Sequence, residues 1–355
     1  MPSARDIKNR IRSVKNIAQI TRAQETVAAS RVRRAQARVL ASRAFSEKAW
    51  EILLNVQSTA ATGVSLHPLL TSREKVNEIL IVLITSDRGL AGAFNSNIIR
   101  VAERFAQRLG KPVRYVTVGR KGRDSLIRAG ANVVAEFSDL PSETTIATIS
   151  PIARLAIDEF LSGAVDQVFI AYTDFVNTLT QRPVVLSWLP LIPYHTDDQI
   201  MGEMIKDVPE VSAGKSVYEY EPSAAAILEE IVPRFTELQL YQALLESQAS
   251  EHSARMVAMR NASDNAAQLM ADYTLIYNKV RQAAITAEIL DIVGGANALQ
   301  ASIDHVGEQA LAAFQQAQME ETIRVAKPAV KANGDAAAKP ARKSRAKKSE
   351  TANNN

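Results

Sequence analysis

The segment RDIKNRIRSVKNIAQITRAQETVAASRVRRAQ, residues 5–36, decides how the N-terminal part of this chain folds. It contains neither Gly nor Pro, and mostly small or apolar residues recur at alternating steps of three and four. The spacing continues for seven heptads, through positions 7, 11, 14, 18, 21, 25, 28, 32, 35, 39, 42, 46, 49 and 53. Such a repeat is typical of one helix of a coiled coil. Because its apolar seam is thin, we expect this helix to need a partner.

A suitable partner lies near the other end of the chain. No residue from Arg234 to Val293 is Gly or Pro, and a helix over these positions would be about 90 Å long. Apolar residues again follow heptad multiples, and the helix would end in ITAEILDIVGGANAL, residues 285–299. Two long helices at opposite ends of one chain predict an antiparallel pair, with a compact domain between them that returns the chain.

The middle of the chain has the pattern of an α/β domain. Strand-length apolar runs occur at residues 78–86, 113–119 and 166–175, with helical patterns between them. Near-continuous apolar strands that alternate with helices indicate a mostly parallel sheet with helices on both faces. A fourth run, RPVVLSWLPLIP at 182–193, contains prolines and is predicted to be an edge strand.

The predicted fold class is therefore α/β plus a long antiparallel coiled coil. The expected segments are an N-terminal coiled-coil helix at 1–62, an α/β (Rossmann-like) domain at 76–193, a linker at 194–222, a C-terminal coiled-coil helix at 223–299, an extension helix at 300–324, and a basic tail at 325–355. The tail is rich in Ala, Lys and Pro and has no core-forming residues, so we expect it to be disordered.

Composition excludes several classes of protein. The 355 residues are 46% hydrophobic, typical of a globular chain, and the longest apolar run, ILIVLI, is far shorter than the ~20 residues of a membrane span. The chain has no cysteine, which excludes disulfides and thiolate metal sites. Its four histidines are scattered, so no metal or cofactor is predicted. The net charge of +4 conceals two basic regions, +9 over the first 50 residues and +6 over residues 325–355.

The segment SDRGLAGAFN, residues 86–95, follows a strand and precedes a helix, where a phosphate-binding loop would lie. Neither the dinucleotide fingerprint nor a P-loop motif is present. We therefore predict a tight turn in which Asp87 either pairs with Arg88 or caps the next helix. No other segment has the pattern of a catalytic site.

Several separated segments resemble the gamma subunit of F-type ATP synthases, over about residues 1–299. They are residues 5–36, SDRGLAGAFN, YEYEPS, SEHSARMVAMRNASDNA and YNKVRQAAITAEILDIVGGANAL, in the family's order. The resemblance implies that the terminal helices form a rotor shaft inside a hexamer of alternating alpha and beta subunits. The chain would then be non-catalytic, and it would couple transmembrane ion flow to conformational change at the catalytic beta subunits. The small residues near Gly294 and Gly295 would pass through an apolar sleeve of that ring.

The resemblance also implies contacts for individual residues of the C-terminal helix. Arg281 and Gln282 stand where the family has a polar pair that hydrogen-bonds to a loop of a beta subunit. Thr286 and Glu288 belong to the same signature and are expected to contact beta subunits too.

On the N-terminal helix, the family resemblance implies that Arg31, Arg33 and Arg34 face acidic levers of the beta subunits. Gln24 and Thr26 depart from the family, which usually has Met there. We therefore expect the contacts around these two positions to differ in detail.

Tyr218, Tyr220 and Glu221 match the family's foot, which meets the c-subunit ring and the epsilon subunit. The absence of cysteine excludes the thiol regulation of chloroplast members. The N-terminal segment is basic and amphipathic, as a mitochondrial presequence is, but Asp6 and the unbroken helical pattern beyond it argue against cleavage. We therefore expect a bacterial protein at the cytoplasmic face of the cell membrane, attached to the membrane only through its partners.

One departure from the family is large, because the chain runs 56 residues beyond Leu299, where relatives usually end. We expect a helix at 302–324 outside the sleeve, followed by the basic tail. Two other classes of protein stay open from the residues themselves. One is a basic coiled-coil protein that binds nucleic acid or acts as a scaffold, and the other is an α/β domain that uses a nucleotide.

Overall fold

The computed structural model describes residues 3–60, 67–73, 75–141, 143–191, 198–206 and 224–325. Its helices are α1 (Ala4–Ala60), α2 (Phe94–Leu109), α3 (Arg120–Arg128), α4 (Ile146–Leu161), α5 (Gln199–Met204) and α6 (Ala224–Val325), with a 3-10 helix at Pro68–Leu70. Its strands are β1 (Ile79–Ile84), β2 (Val113–Val118), β3 (Asn132–Phe137), β4 (Gln167–Phe175) and β5 (Gln181–Leu189). The chain divides into two units, Met1–Lys279 and Val280–Asn355.

The five strands form one sheet in the order β3-β2-β1-β4-β5. The first four are parallel to their neighbours, and β5 runs antiparallel to β4 at the edge. This arrangement confirms the predicted mostly parallel sheet and the predicted edge strand. At the opposite edge, β3 is a strand that the sequence analysis did not predict; its side chains are mostly half-buried, so its apolar signal is weak.

Helices cover both faces of the sheet. All six residues of the central strand β1 are buried, and they alternate between two hydrophobic clusters. Leu80, Val82 and Ile84 pack in the cluster that includes α4 and the first turns of α6. The other three β1 residues pack with α2, α3 and α5 on the opposite face. A strand buried on both faces accounts for the continuous apolar run in the sequence.

Within the first unit, α1 and α6 pair in antiparallel orientation. Val39 packs with Leu245 and Ala249, whereas Trp50, further along α1, stacks on Phe235 with ring centroids 5.3 Å apart. Residue numbers therefore rise along α1 while those of its partners fall along α6. The thirteen predicted seam positions of α1 from residue 7 to residue 49 are all buried or half-buried. The predicted helix pairing is confirmed.

The C-terminal helix differs from its prediction in one respect. A coiled-coil helix ending near Leu299 and a separate extension helix were expected, but α6 continues without interruption from Ala224 to Val325. Gly294 and Gly295 lie within it as ordinary helical residues, because each glycine costs only about 1 kcal/mol relative to alanine. The expected basic tail at 325–355 lies almost entirely outside the described residues, as does most of the linker at 194–222. Across the described residues, no helix has a stretch long and apolar enough to cross a membrane.

Candidate functional site

The basic residues of α1 lie beside a charged stretch of α6. Arg31, Arg33 and Arg34 are exposed, on the turns of α1 that neighbour His252 of α6. Burial lowers the pKa of His252 to about 4, and the positive charges of Arg255, Arg31 and Arg34 contribute to this shift. The pair of helices α1 and α6 thus concentrates positive charge around His252.

Glu251 is an acidic group close to that positive charge. Burial raises its pKa, while Arg255 and Arg31 favour its charged form. Its carboxylate lies 2.8 Å from the guanidinium of Arg255, one turn further along α6. Arg255 is therefore held by an ion pair within α6, whereas the three predicted arginines of α1 lie exposed on the surface.

The segment SDRGLAGAFN forms the predicted tight turn, but the predicted roles of Asp87 are wrong. Asp87 does not cap α2, and no ion pair with Arg88 is found among the described residues. Its carboxylate instead accepts hydrogen bonds from the backbone N–H groups of Arg120 and Asp139, both at 3.1 Å. Asp87 therefore ties the turn after β1 to the ends of β2 and β3, because parallel strands bring their carboxyl ends to one edge of the sheet.

The same turn contacts α6. Arg255 donates a hydrogen bond to the carbonyl oxygen of Gly89 at 3.3 Å. Gly92 has φ +57°, and a Cβ placed on it would lie 3.7 Å from the Cβ of Ala258. These contacts indicate that α6 packs on this turn. A nucleotide-binding role has no support in the geometry of the turn.

Four charged residues from separate parts of the chain form a largely buried network, which we call the charged cluster: Arg43, Asp174, Lys206 and Glu246. Glu246 is 1% exposed and receives hydrogen bonds from Arg43 at 2.9 Å, Lys206 at 2.9 Å and Gln242 at 2.7 Å. Arg43 and Lys206 also lie 3.4 and 3.3 Å from the carboxylate of Asp174. The cluster therefore links α1, β4, the segment after α5, and α6.

The electrostatics of the charged cluster follow from its burial. Desolvation opposes the ionisation of Glu246, but Lys206 and the hydrogen bonds to its carboxylate lower its pKa to about 2. Desolvation and the neighbouring Glu246 raise the pKa of Asp174. Lys206 also donates a hydrogen bond to the hydroxyl of Tyr172 at 2.7 Å. Both cations are thus anchored at several points, and the helix pair is fixed to the sheet by oriented charges as well as by apolar packing.

Sequence analysis missed the charged cluster, because the members that contact one another are separated by 32 to 203 residues along the chain. A signal does exist, since Asp174 lies at the end of an otherwise apolar strand and Glu246 within an apolar stretch of α6. Charged residues in such surroundings are seldom buried unless they are paired.

The signature residues of α6 lie in the second unit, where every described residue from Arg281 to Arg324 is exposed. At 100° per residue, Arg281 and Glu288 share one side of the helix, and Gln282 and Thr286 share another. The hydroxyl of Thr286 donates to the carbonyl oxygen of Gln282 at 3.0 Å, an internal bond of the helix. The structure therefore groups these four residues as two pairs on a helix surface.

The predicted foot residues, Tyr218, Tyr220 and Glu221, lie outside the described residues. Their contacts with an epsilon subunit and a c-subunit ring stay predictions.

Comparison with known proteins agrees with the architecture. A family model described as ATP synthase matches residues 3–299. The ATP synthase gamma chain of Dehalococcoides mccartyi is 47% identical over 300 residues, covering 84% of this chain and 100% of that relative. The gamma chain of Chloroflexus aurantiacus is 44% identical over 303 residues, covering 84% of this chain and 99% of that one.

A solved structure gives the same assignment. A chain in the central stalk and c-ring structure of the Tetrahymena thermophila mitochondrial ATP synthase matches with a TM-score of 0.50 and 26% identity, covering 69% of this chain and 99% of that one. The fold, the extent of the family match and the identity to full-length relatives lead to one conclusion. This chain belongs to the ATP synthase gamma chain family.

Proposed function

We propose that this chain is the non-catalytic rotor shaft of a bacterial F-type ATP synthase, turning inside a hexamer of alpha and beta subunits. The observation that carries the proposal is the antiparallel pair of α1 and α6, which is fixed to the sheet domain through the charged cluster. A shaft must transmit torque from one end to the other, and this requires that the helices and the domain at their base move together. Buried ion pairs with several hydrogen bonds are suited to this, because they hold the joined elements in one relative orientation.

In this proposal the ATP chemistry belongs to the surrounding subunits, and this chain acts through unequal contacts with them. A partner shifts a conformational equilibrium only when it binds the alternative states with different affinity. The two polar pairs of the signature, Arg281 with Glu288 and Gln282 with Thr286, lie on different sides of α6. They would therefore contact different beta subunits, or different parts of one, at any moment.

The exposed arginines of α1 would form a second contact. Arg31, Arg33 and Arg34 lie beside further positive charge on α6 and are available to acidic levers of the beta subunits. Contacts between exposed charges are screened by salt, so this part of the interaction would weaken as ionic strength rises.

The foot residues Tyr218, Tyr220 and Glu221 would join the shaft to the c-subunit ring and the epsilon subunit. The chain would then lie at the cytoplasmic face of the cell membrane and be attached to it only through these partners. Sequence similarity to gamma chains along residues 3–299, which include the foot, supports this placement.

The experiment that tests the proposal is assembly of the full chain with alpha and beta subunits, followed by measurement of ATP hydrolysis. We expect a complex with a single copy of this chain per ring, and hydrolysis that depends on its presence. Arg281→Ala combined with Gln282→Ala should lower the rate of hydrolysis about fivefold or more, which corresponds to a loss of about 1 kcal/mol of transition-state stabilisation. Gln316→Ala, an exposed residue further along the same helix, is the matched control and should have no effect.

Two results would contradict the proposal. One is a chain that stays out of the complex and instead forms a homodimer that binds DNA in a salt-dependent way, as the scaffold alternative requires. The other is a ring whose hydrolysis is the same with and without this chain.

A further inference from the structure

The described segment 198–206 leads directly into the part of the chain that contains the predicted foot residues. Residues 207–223, which lie outside the described residues, connect Lys206 to Ala224, where α6 begins. The chain that carries the foot therefore has two connections to the rest of the molecule. One continues directly into α6, and the other runs back through Lys206, so the contacts of Lys206 decide whether the second connection holds.

The backbone of this segment passes around the β5 edge of the sheet. Met201 is buried in the hydrophobic cluster that includes α2. Ile205 forms a β-bridge with Val185, and the backbone N–H of Lys206 donates to the carbonyl oxygen of Val185 at 2.9 Å. The side chain of Lys206 then contacts Tyr172, which is buried in the cluster that includes the first turns of α6. The segment thus crosses from the α2 face of the sheet to the α6 face.

The side chain of Lys206 is held by three acceptors at the end of this path. Its ammonium group lies 2.7 Å from the hydroxyl of Tyr172, 2.9 Å from the carboxylate of Glu246 and 3.3 Å from the carboxylate of Asp174. An ammonium group has three N–H donors, and here each can find an acceptor. Two of these acceptors are charged, and such hydrogen bonds are stronger than those between neutral groups. Lys206 therefore joins the end of the segment to β4 and α6.

We propose that Lys206 is a positioning residue that fixes the start of the foot-bearing segment to the shaft, so that the foot turns together with α1 and α6. The inference rests on the proposed function and deepens it, because it names a contact through which the foot and the shaft move together. A segment that is attached at one end can pivot about that end, whereas a segment attached at both ends transmits force. Networks of ion pairs and hydrogen bonds are one means by which distant sites are coupled.

Arg43, the other cation of the charged cluster, provides a control for this role. It contacts the same two carboxylates, Glu246 at 2.9 Å and Asp174 at 3.4 Å, but it lies on α1. Loss of Arg43 and loss of Lys206 each remove one positive charge from the same cluster. Only the loss of Lys206 also releases the segment that leads to the foot.

Two double variants separate the anchor from the charge balance of the cluster. Asp174→Asn with Lys206→Met leaves Arg43 to pair with Glu246. Asp174→Asn with Arg43→Met leaves Lys206 to pair with Glu246. Each double variant removes one charge of each sign, so neither leaves a buried charge without a partner, and both are expected to fold. Lys206→Arg, which keeps the positive charge, is the conservative variant.

The first measurement is hydrogen exchange of residues 199–206 in the full chain. The backbone N–H groups of Ile205 and Lys206 donate to the carbonyl oxygens of Met201 and Val185, so their exchange reports whether the segment stays in place. Without the lysine side chain we expect these amides to exchange about tenfold faster or more, because hydrogen bonds to charged groups are lost. The double variant that lacks Arg43 should exchange as the unmodified chain does.

The second measurement uses the whole ATP synthase complex in lipid vesicles, and it compares ATP hydrolysis with ATP-driven ion uptake. We expect the double variant without Lys206 to hydrolyse ATP but to transport fewer ions per ATP than the unmodified complex. The double variant without Arg43 should keep the ratio, because α1 remains packed through Val39 and Trp50. Lys206→Arg should keep it as well. A purely structural role would lower hydrolysis and uptake together in both double variants.

Two results would overturn the inference. One is the same number of ions per ATP in the double variant without Lys206 as in the unmodified complex. The other is equally fast exchange of residues 199–206 in the two double variants, since Lys206 would then hold the segment no better than Arg43 does. Failure of the proposed function gives a different result, because the unmodified chain itself would then support no ATP-driven ion uptake, and both proposals would fall.

Discussion

Replacing Glu246 with Gln tests whether the charged cluster holds the helix pair on the sheet domain. Glu246 is 1% exposed and its carboxylate receives hydrogen bonds from Arg43 and Lys206, both at 2.9 Å. Glutamine has nearly the same shape, but it removes the negative charge and directs an N–H group towards a cation. The variant therefore leaves two positive groups with Asp174 as their remaining carboxylate in the cluster.

The magnitude follows from the burial of the partners. Removing one member of a buried ion pair costs about 3–5 kcal/mol, because the other charge is left uncompensated. The side chains of Arg43 and Lys206 are 35% and 26% exposed, so water can partly solvate them after the change. We therefore expect the lower end, about 3 kcal/mol of unfolding free energy. At the usual dependence on urea, this corresponds to a midpoint lower by roughly 1 M or more.

The assay is equilibrium urea unfolding of the full chain, followed by tryptophan fluorescence. The chain has two tryptophans. Trp50 reports the pairing of α1 with α6, and Trp188, whose ring N–H donates to the carbonyl oxygen of Thr236 at 3.1 Å, reports the seating of α6 on the sheet. Both signals should shift together in the variant, because the cluster joins all these elements.

Glu230→Gln is the matched control, since Glu230 lies on the same helix and pairs with Arg234 at 2.8 Å on the surface. Exposed pairs contribute about 0–1 kcal/mol, so this variant should unfold nearly as the unmodified chain does. Equal unfolding free energies for Glu246→Gln and Glu230→Gln would refute the reasoning about the cluster.

The pH dependence supplies an independent check. The pKa of Glu246 is about 2 in the folded chain, below its ordinary 4.5. Its stabilising contribution is therefore present above about pH 4.5 and is lost as the pH falls towards 2. The difference in unfolding free energy between the unmodified chain and Glu246→Gln should shrink over that interval. A difference that stays constant would show that the charge of Glu246 is not its source.

Three further predictions concern single positions. Burial and three arginines lower the pKa of His252 from 6.5 to about 4, so the folded chain favours its neutral form, and stability is lost as the pH falls from 6.5 to 4. In His252→Gln the urea midpoint should depend less on pH over that range than in the unmodified chain. The same pH dependence in both would contradict this prediction. Gly119 has φ +98°, and Gly119→Ala would place a Cβ 2.3 Å from the carbonyl oxygen of Thr85, so we expect the free energy of unfolding to fall by about 3 kcal/mol or more. The control Gly110→Ala, at φ +60° in open space, should lower it by only about 1 kcal/mol. Equal losses for the two variants in urea unfolding would refute the steric argument. Trp50→Ala removes an 8%-exposed ring from between α1 and the sheet domain, and it should lower the free energy of unfolding, measured by calorimetry, by about 3–5 kcal/mol. A loss below about 1 kcal/mol would mean that α1 is not packed there.

Heptad spacing and strand-length apolar runs were sufficient to predict the main architecture. Both signals arise from burial, on one face of a helix or on both faces of a strand, and so they identified α1, the long C-terminal helix, β1, β2, β4 and β5. The missing strand, β3, lies at an edge and is only partly buried, so its residues are not selected for a clear pattern. The continuity of α6 past Leu299 was missed for another reason, since the boundary between the two predicted helices was placed where the resembling family usually ends and not at a helix-breaking residue.

The candidate site was predictable only in part. Contact roles for exposed residues such as Arg281 and Arg31 could be predicted only through resemblance to a family, because an isolated sequence does not distinguish a contact surface from a solvated one. The charged cluster depends on distances between residues from four elements, and these distances exist only after folding. Asp87 illustrates the same limit, since its partners, Arg120 and Asp139, lie 33 and 52 residues away.

The central claim is that this chain rotates within the ring while ATP is hydrolysed, and single-molecule observation tests it most directly. The chain has no cysteine, so Leu179→Cys, in the turn between β4 and β5 at 83% exposure, gives a unique attachment point for a probe. With the alpha–beta ring fixed to a surface, we expect the probe to turn continuously in one direction when ATP is added and to stop when it is removed. A ring that hydrolyses ATP while the attached probe stays still would contradict the account.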